Sequence, residues 1–135
     1  MHCALAVSLL SRQSVSTGRI LVVEDDQGAR DLIVSSLRAD GHDVDASGDG
    51  TEALRLMARH WYDLIVSDIK MPELDGPNLY SQVAQRWPTG SPHFLFVSRL
   101  GHTSEYDGFL KVIKAPVLAQ PFKADQLRRA VRRML

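Results

Sequence analysis

The sequence predicts an α/β fold built on a doubly wound parallel sheet, and three features of the chain support this prediction. From Arg19 onward, short apolar runs alternate with segments of helical periodicity, which is the pattern of parallel strands joined by helices. Most of these runs are apolar at every position, as strands covered on both faces are. The count is five strands and five helices in strict alternation, and right-handed crossovers then place helices on both faces of the sheet.

The first strand and the first helix follow directly from this pattern. Residues 20–23 form an apolar run typical of a buried strand. In the next segment, residues three and four apart form one helical face, with Asp26 as the predicted N-cap. Gly41 ends this helix, because glycine suits the left-handed conformation just past a helix end. The residues predicted to face inward are Ala29, Leu32, Ile33, Ser36 and Leu37.

The remaining elements continue the alternation. Residues 42–47 alternate between polar and apolar side chains, which places the second strand at a sheet edge. Gly108 and β-branched residues lower the helix propensity of residues 103–113, whereas residues 124–135 combine an apolar face with four outward arginines. The other predicted elements are helices 49–60 and 76–87 and strands 63–67, 94–98 and 117–119, with Ala53, Leu54, Met57 and Ala58 facing inward from the second helix.

Length and composition indicate one ordinary globular domain. The chain has 135 residues and carries 16 basic and 16 acidic side chains, so its net charge favours neither nucleic acid nor an anionic membrane as a partner. Cys3 is the only cysteine, which excludes an internal disulfide and fits a reducing, cytoplasmic compartment. No apolar run is long enough to span a bilayer. We expect residues 1–18 to form a disordered or loosely docked leader and residues 19–135 to form the domain.

Polar residues follow several of the predicted strands, at the edge of the sheet where ligands bind in doubly wound folds. Glu24 and Asp25 follow the first strand and Asp68 follows the third, so the three carboxylates converge if these strands are neighbours. Clustered carboxylates repel one another unless a cation neutralises them. An open site made only of oxygen ligands suits magnesium, and the sequence therefore predicts a Mg²⁺ site.

Four stretches of the chain resemble the receiver domain of two-component response regulators. They are ILVVEDDQGAR at 20–30, SGDGTEAL at 47–54, YDLIVSDIKMPELDG at 62–76 and QPFKADQLRRAVRRML at 120–135. The resemblance covers residues 19–135 and implies a flavodoxin-like (βα)5 fold, in which the five parallel strands have the order 2-1-3-4-5. The chain ends with this domain at Leu135, so we expect a stand-alone receiver or one from a hybrid sensor histidine kinase.

The resemblance also implies a role for each matching polar residue. Asp68 corresponds to the phospho-acceptor, and Ser98 to the hydroxyl that binds the phosphoryl group. Asp25 would bind Mg²⁺ directly and Glu24 through a water molecule, while the backbone carbonyl of Lys70 would be a further ligand. Asp26 lies just outside this acidic pair.

The implied function is phosphorelay signal transduction. Asp68 would take a phosphoryl group from a phosphohistidine on a histidine kinase or a histidine phosphotransfer protein. The aspartyl phosphate would then switch a protein-interaction surface that a downstream protein reads, and a homodimer, if one forms, would use the same surface. Such a domain catalyses only its own phosphorylation and dephosphorylation, so the resemblance does not imply an enzyme.

Three residues depart from the family pattern. Gln120 stands where the family has a lysine before Pro-Phe, and a neutral amide binds a phosphoryl group more weakly than a charged donor. Arg99 replaces the small residue that usually follows the hydroxyl, where it either crowds the site or supplies the missing cation. Val117 replaces an aromatic ring that couples to the hydroxyl on activation. These changes predict an altered rate, phosphoryl lifetime or output coupling.

Two other functions use the same residues. A degenerate receiver would act as an interaction module that does not depend on phosphorylation. A magnesium-dependent phosphohydrolase similar to the haloacid dehalogenase family would need a second aspartate two residues after the nucleophile, where this chain has Lys70, and no cap insertion is present.

Overall fold

The computed structural model describes residues 17–99, 106–113 and 115–135. Most of the predicted leader and residues 103–105 of the predicted fourth helix lie outside these ranges. Five strands and five helices alternate within them, and no described helix combines the length and apolarity needed to cross a membrane. The strands are β1 (Arg19–Val23), β2 (Asp43–Ser47), β3 (Leu64–Asp68), β4 (His93–Arg99) and β5 (Val117–Gln120), and the helices are α1 (Gln27–Ala39), α2 (Gly50–Arg59), α3 (Gly76–Arg86), α4 (Asp107–Ile113) and α5 (Ala124–Met134).

The strands form one parallel sheet in the order β2-β1-β3-β4-β5. This confirms the predicted fold class and strand order, and it confirms that the second strand lies at an edge. The winding changes direction at β1 and β3, because β2 lies on one side of this pair and β4 and β5 lie on the other. Ligand sites of doubly wound folds lie beyond the carboxyl ends of the strands at this point.

Alternating strand residues fill two hydrophobic layers, one on each face of the sheet. Leu21, Ile65 and Phe96 belong to the layer covered by α2, α3 and α4. Val22 and Val66 belong to the layer covered by α1 and α5. The central strands are therefore shielded on both faces, which explains their continuous apolar sequence. Full burial of one such side chain contributes about 1.5–3 kcal/mol to stability. Burial of many of them holds the strands, and the residues at their carboxyl ends, in fixed positions.

Side-chain caps fix the starts of the helices that follow this edge. Asp26 caps α1 as predicted and accepts a hydrogen bond of 2.8 Å from the backbone N–H of Ala29. Asp49 and Asp75 cap α2 and α3 in the same way. Each cap of this kind is worth about 1 kcal/mol. At the other end of α1, Gly41 has the predicted left-handed conformation, with a φ of +93°.

Two of the inward positions predicted for the first two helices are wrong. Leu32 is 55% exposed, while Val34 is buried against the layer that contains Leu127 and Val131 of α5. Both Leu32 and Val34 lie about 100° from Ile33 around the helix axis, so periodicity alone could not choose between the two sides, and packing against α5 selects Val34. Ala58 is exposed, because the buried stripe of α2 is narrower than predicted.

The close approach of α3 to β3 gives a prediction for Gly76. A Cβ atom at Gly76 would lie 2.8 Å from the backbone oxygen of Asp68 and 3.0 Å from Cα of Ile69. We expect Gly76→Ala to lower the free energy of unfolding by about 1–3 kcal/mol in urea denaturation, because the backbone must shift. A Cβ at Gly108 in α4 would meet nothing within 4 Å, so Gly108→Ala should be neutral or stabilise the domain by about 0.5–1 kcal/mol. Equal effects of the two substitutions would contradict this account.

Candidate functional site

The register of the sheet brings the ends of β1 and β3 together. Val23 pairs with Ser67, so Glu24 and Asp68 are the next residues on two neighbouring strands. The side chains of Glu24, Asp25 and Asp68 each offer an oxygen atom, and these atoms all lie within 4.8 Å of one another. The convergence expected from the sequence is therefore present in the folded chain.

Burial within this acidic cluster is uneven. Glu24 is fully buried and Asp68 is 4% exposed, whereas Asp25 faces solvent. Oε2 of Glu24 accepts a hydrogen bond of 3.2 Å from the backbone N–H of Asp26, but Oε1 accepts no hydrogen bond from the described protein groups. A buried carboxylate oxygen without a donor is costly, so the site is incomplete with the described protein groups alone.

The two buried carboxyls have raised pKa values, because burial removes the water that would stabilise their charged forms. Burial, together with the nearby charge of Asp68, raises the pKa of Glu24 to about 8. Burial also raises the pKa of Asp68, while hydrogen bonds from the Glu24 carboxyl and the backbone N–H of Lys70 act in the opposite direction. Without a cation, the pair therefore retains a proton near neutral pH.

The cluster fits a hard divalent cation. All of its ligand atoms are carboxylate oxygens, the donors that magnesium prefers, and one partner, Asp25, is open to solvent. Oxygens bound to one Mg²⁺ at about 2.1 Å lie at most about 4.2 Å apart. The observed span of up to 4.8 Å thus requires either a small contraction or one water-mediated contact. The partnerless Oε1 of Glu24 is the natural acceptor for such a water molecule.

The ends of β4 and β5 form the other side of the candidate site. Asp68 pairs with Val97, and one residue further Ser98 is completely buried, with its hydroxyl donating a bond of 3.3 Å to the carbonyl of Arg99. Arg99 is exposed and pairs directly with Gln120. The Gln120–Pro121 peptide bond is cis.

Comparisons with known proteins decide the family. Residues 20–132 match the family model described as the response regulator receiver domain. The chain belongs to this family. It is 33% identical over 118 residues to the response regulator MprA of Mycobacterium leprae, where the match covers 87% of this chain and 50% of the relative. It is also 33% identical to the sensor kinase CckA of Brucella abortus, covering 86% of this chain and 12% of the kinase.

Solved structures show the same receiver fold. The response regulator TrrA of Thermotoga maritima, solved in complex with Mg²⁺ and BeF, superposes with a TM-score of 0.74 at 27% identity. That match covers 87% of this chain and 98% of TrrA. Receiver domains are signalling domains that bind Mg²⁺ through an acidic pocket and interact with histidine kinases and downstream effectors. The receiver chain spans half of the length of MprA and a small part of CckA.

Arg30 is a residue of the site region that sequence reasoning missed. Its guanidinium Nη1 donates a hydrogen bond of 2.8 Å to the backbone carbonyl of Glu24. This bond ties the first turns of α1 to the end of β1 and fixes the backbone that carries the two acidic residues. A single arginine in a helix gives no sequence signal for such a contact, because its target is a carbonyl group.

The raised pKa of Glu24 gives a prediction for stability. Between its ordinary value of 4.5 and about 8, the folded receiver domain holds a proton that the unfolded chain has released. The metal-free domain should therefore lose stability as the pH rises from 5 to 8, by on the order of 2 kcal/mol. Glu24→Gln should flatten this dependence in urea denaturation with EDTA.

The control for this experiment is Glu73→Gln, which removes an exposed carboxylate from the loop after β3 and should keep the parent pH dependence. Adding Mg²⁺ at pH 8 should restore stability to the parent, because the ion binds only the folded state. A parent domain whose stability does not change with pH or Mg²⁺ would show that the two buried carboxyls do not share a proton.

Proposed function

We propose that this receiver domain accepts a phosphoryl group on Asp68 from a phosphohistidine, with Mg²⁺ bound at the acidic cluster. The observation that carries the proposal is the convergence of three carboxylates at the switch point of the sheet. Asp25, Asp68 and the backbone carbonyl of Lys70 would hold the ion directly, and Glu24 would hold it through water. The ion would neutralise the charge that builds up on the phosphoryl oxygens during transfer.

The chemistry at Asp68 is a substitution at phosphorus. A carboxylate oxygen of Asp68 forms the new O–P bond while the P–N bond of the phosphohistidine breaks, and the electron pair of that bond returns to the imidazole of the donor. The hydrogen bond from the backbone N–H of Lys70 helps to keep Asp68 ionised and oriented. Asp68 lies on β3 and is only 4% exposed, so neighbouring groups restrict its side chain, which favours a fixed angle of attack.

Ser98 and Gln120 would contact the phosphoryl group after transfer. Both residues lie at the carboxyl ends of strands on the β4–β5 side of Asp68. The Ser98 hydroxyl would donate a hydrogen bond to a phosphoryl oxygen in place of its present bond to the Arg99 carbonyl. Gln120 would offer only a neutral amide donor, and this predicts slower transfer or a different phosphoryl lifetime from a receiver with a charged donor there.

The phosphorylated domain would act through protein contacts in the cytoplasm. We propose a histidine kinase or a histidine phosphotransfer protein as the donor and an unidentified downstream protein as the target, with dimer formation on the switched surface as a further outcome. Two comparisons support this assignment: the sensor kinase CckA contains a segment similar to this chain, and TrrA was solved with magnesium and BeF.

A second function remains open to test because of the departures from the family pattern. Gln120 has no charge, and Val117, which packs in the layer under α4, has no aromatic ring to rotate. A receiver with these residues could serve as an interaction module without phosphorylation.

Phosphorylation with a small donor separates the two functions. With saturating acetyl phosphate and Mg²⁺, we expect intact mass spectrometry to show one phosphoryl group on the parent and none on Asp68→Asn. Asp25→Asn should raise the Mg²⁺ concentration required for the reaction, because it removes a direct charged ligand. Asp26→Asn is the matched control, since asparagine caps a helix as well as aspartate does.

Gln120→Lys measures the effect of the neutral residue directly. We expect a faster phosphorylation of Asp68, because an ammonium group binds the phosphoryl oxygens more strongly than an amide does. A parent chain that stays unmodified under saturating donor and magnesium would reject the proposed function and favour the interaction module.

A further inference from the structure

An open hollow lies at the carboxyl ends of β4 and β5, against α1. It has a volume of about 420 Å³. Its walls combine the apolar surface of α1 with the end of β5 and a single charged side chain, that of Arg99. The lining residues are Ala29, Leu32, Arg99, Gln120, Pro121 and Phe122.

The alternation of side chains along the strands places Arg99 on the same face of the sheet as Asp68. Leu95 and Val97 of β4, like Leu64 and Val66 of β3, belong to the layer under α1 and α5. Side chains two residues apart on a strand lie on the same face of the sheet. Arg99 therefore lies on the face of Leu95 and Val97, and Asp68 lies on that same face with Leu64 and Val66. Ser98 lies on the opposite face. On β5, Leu118 packs against the same layer, so Gln120, two residues further along, lies on the same face of the sheet as Arg99. Gln120 is also the direct strand partner of Arg99.

The distance between these positions suits an arginine side chain. Asp68 pairs with Val97, and Arg99 lies two residues beyond it on β4. With a rise of about 3.3 Å per residue and a strand spacing of about 4.8 Å, the two Cα atoms lie about 8 Å apart. A long side chain directed back toward Asp68, and a phosphoryl group projecting from Asp68, together span this gap.

The charge of the phosphorylated site favours a further cation at this point. Phosphorylated Asp68, with Glu24 and Asp25, would leave roughly two negative charges uncompensated after one Mg²⁺ is bound. Gln120 contributes no charge, and the Arg30 guanidinium is engaged with the Glu24 carbonyl. Arg99 is exposed, and within the described ranges it takes part in no ion pair.

We propose that Arg99 supplies the missing charge by binding the phosphoryl oxygens of phosphorylated Asp68. The proposal rests on the proposed function, because it requires a phosphoryl group on Asp68. In the unphosphorylated domain the side chain of Arg99 lies along the hollow. During transfer its planar guanidinium donates two parallel hydrogen bonds to phosphoryl oxygens, which a lysine at the same position could not do. Arg99 thus performs, from β4, the role that a charged residue at position 120 would perform from β5.

The experiment compares Arg99→Ala, Arg99→Lys and the exposed-arginine control Arg129→Ala in the full chain. Two quantities are measured: the rate of Asp68 phosphorylation by acetyl phosphate, and the affinity for beryllium fluoride in saturating Mg²⁺. We expect both to fall at least about tenfold in Arg99→Ala, since charge-assisted hydrogen bonds are lost. Arg99→Lys should recover part of the loss, and Arg129→Ala should match the parent.

Two further measurements separate a role in phosphoryl binding from a general effect. The affinity for Mg²⁺ alone and the urea midpoint should be unchanged in Arg99→Ala, because the side chain is exposed and is not a metal ligand.

A double variant tests whether positions 99 and 120 supply the same charge. Adding Gln120→Lys to Arg99→Ala should restore the phosphorylation rate. This gain in rate should exceed the gain that Gln120→Lys gives in the parent, because the parent already has the charge of Arg99.

Three results would overturn the inference. Equal rates for the parent and Arg99→Ala would refute it and leave the proposed function standing. Lys70→Ala is measured in parallel, and a loss of rate confined to this variant would assign the charge to Lys70, in the loop after β3, instead of Arg99. A parent chain that is never phosphorylated would refute both the inference and the proposed function.

Discussion

Repulsion between buried carboxylates is the constraint on which the carboxyl end of this domain depends. The parallel register of β1 and β3 places Glu24 and Asp68 side by side, and Asp25 adds a third charge within 4.8 Å. Burial of Glu24 and Asp68 raises the pKa of both, so a proton or a cation must accompany folding at this edge. A divalent ion bound at the cluster would perform this task and would leave Asp68 ionised, which is the state that can attack phosphorus.

The rest of the fold holds this acidic edge of the sheet in place. Apolar layers on both faces of the sheet fix the strands, and the hydrogen bond from Arg30 to the Glu24 carbonyl fixes the end of β1. The absence of a side chain at Gly76 allows α3 to begin close to the end of β3, because an ideal Cβ at this position would lie only 2.8 Å from the Asp68 carbonyl oxygen. Rigid positioning of this kind is what phosphoryl transfer requires from a protein, since the metal supplies most of the charge neutralisation.

The sequence predicted the fold and the composition of the cluster because both follow from local patterns. The edge position of β2 and the Asp26 cap follow from periodicity and residue type, whereas the strand order 2-1-3-4-5 followed from the resemblance to receiver domains. Contacts between elements that are distant in the sequence could not be predicted from these local patterns. The burial of Val34 in place of Leu32 depends on contacts with α5, and the Arg30 contact depends on a backbone carbonyl. The placement of Arg99 near Asp68 required the observed register of β3 and β4.

The most direct measurement of the central claim is a crystal structure with Mn²⁺, whose anomalous signal locates the ion that occupies a magnesium site. The account requires one ion bound by oxygens of Asp25, Asp68 and the Lys70 carbonyl, with the Glu24 carboxylate reached through a water molecule. An ion bound elsewhere, or an acidic cluster that stays free of Mn²⁺ at saturating concentration with Glu24 and Asp68 still in contact, would contradict it.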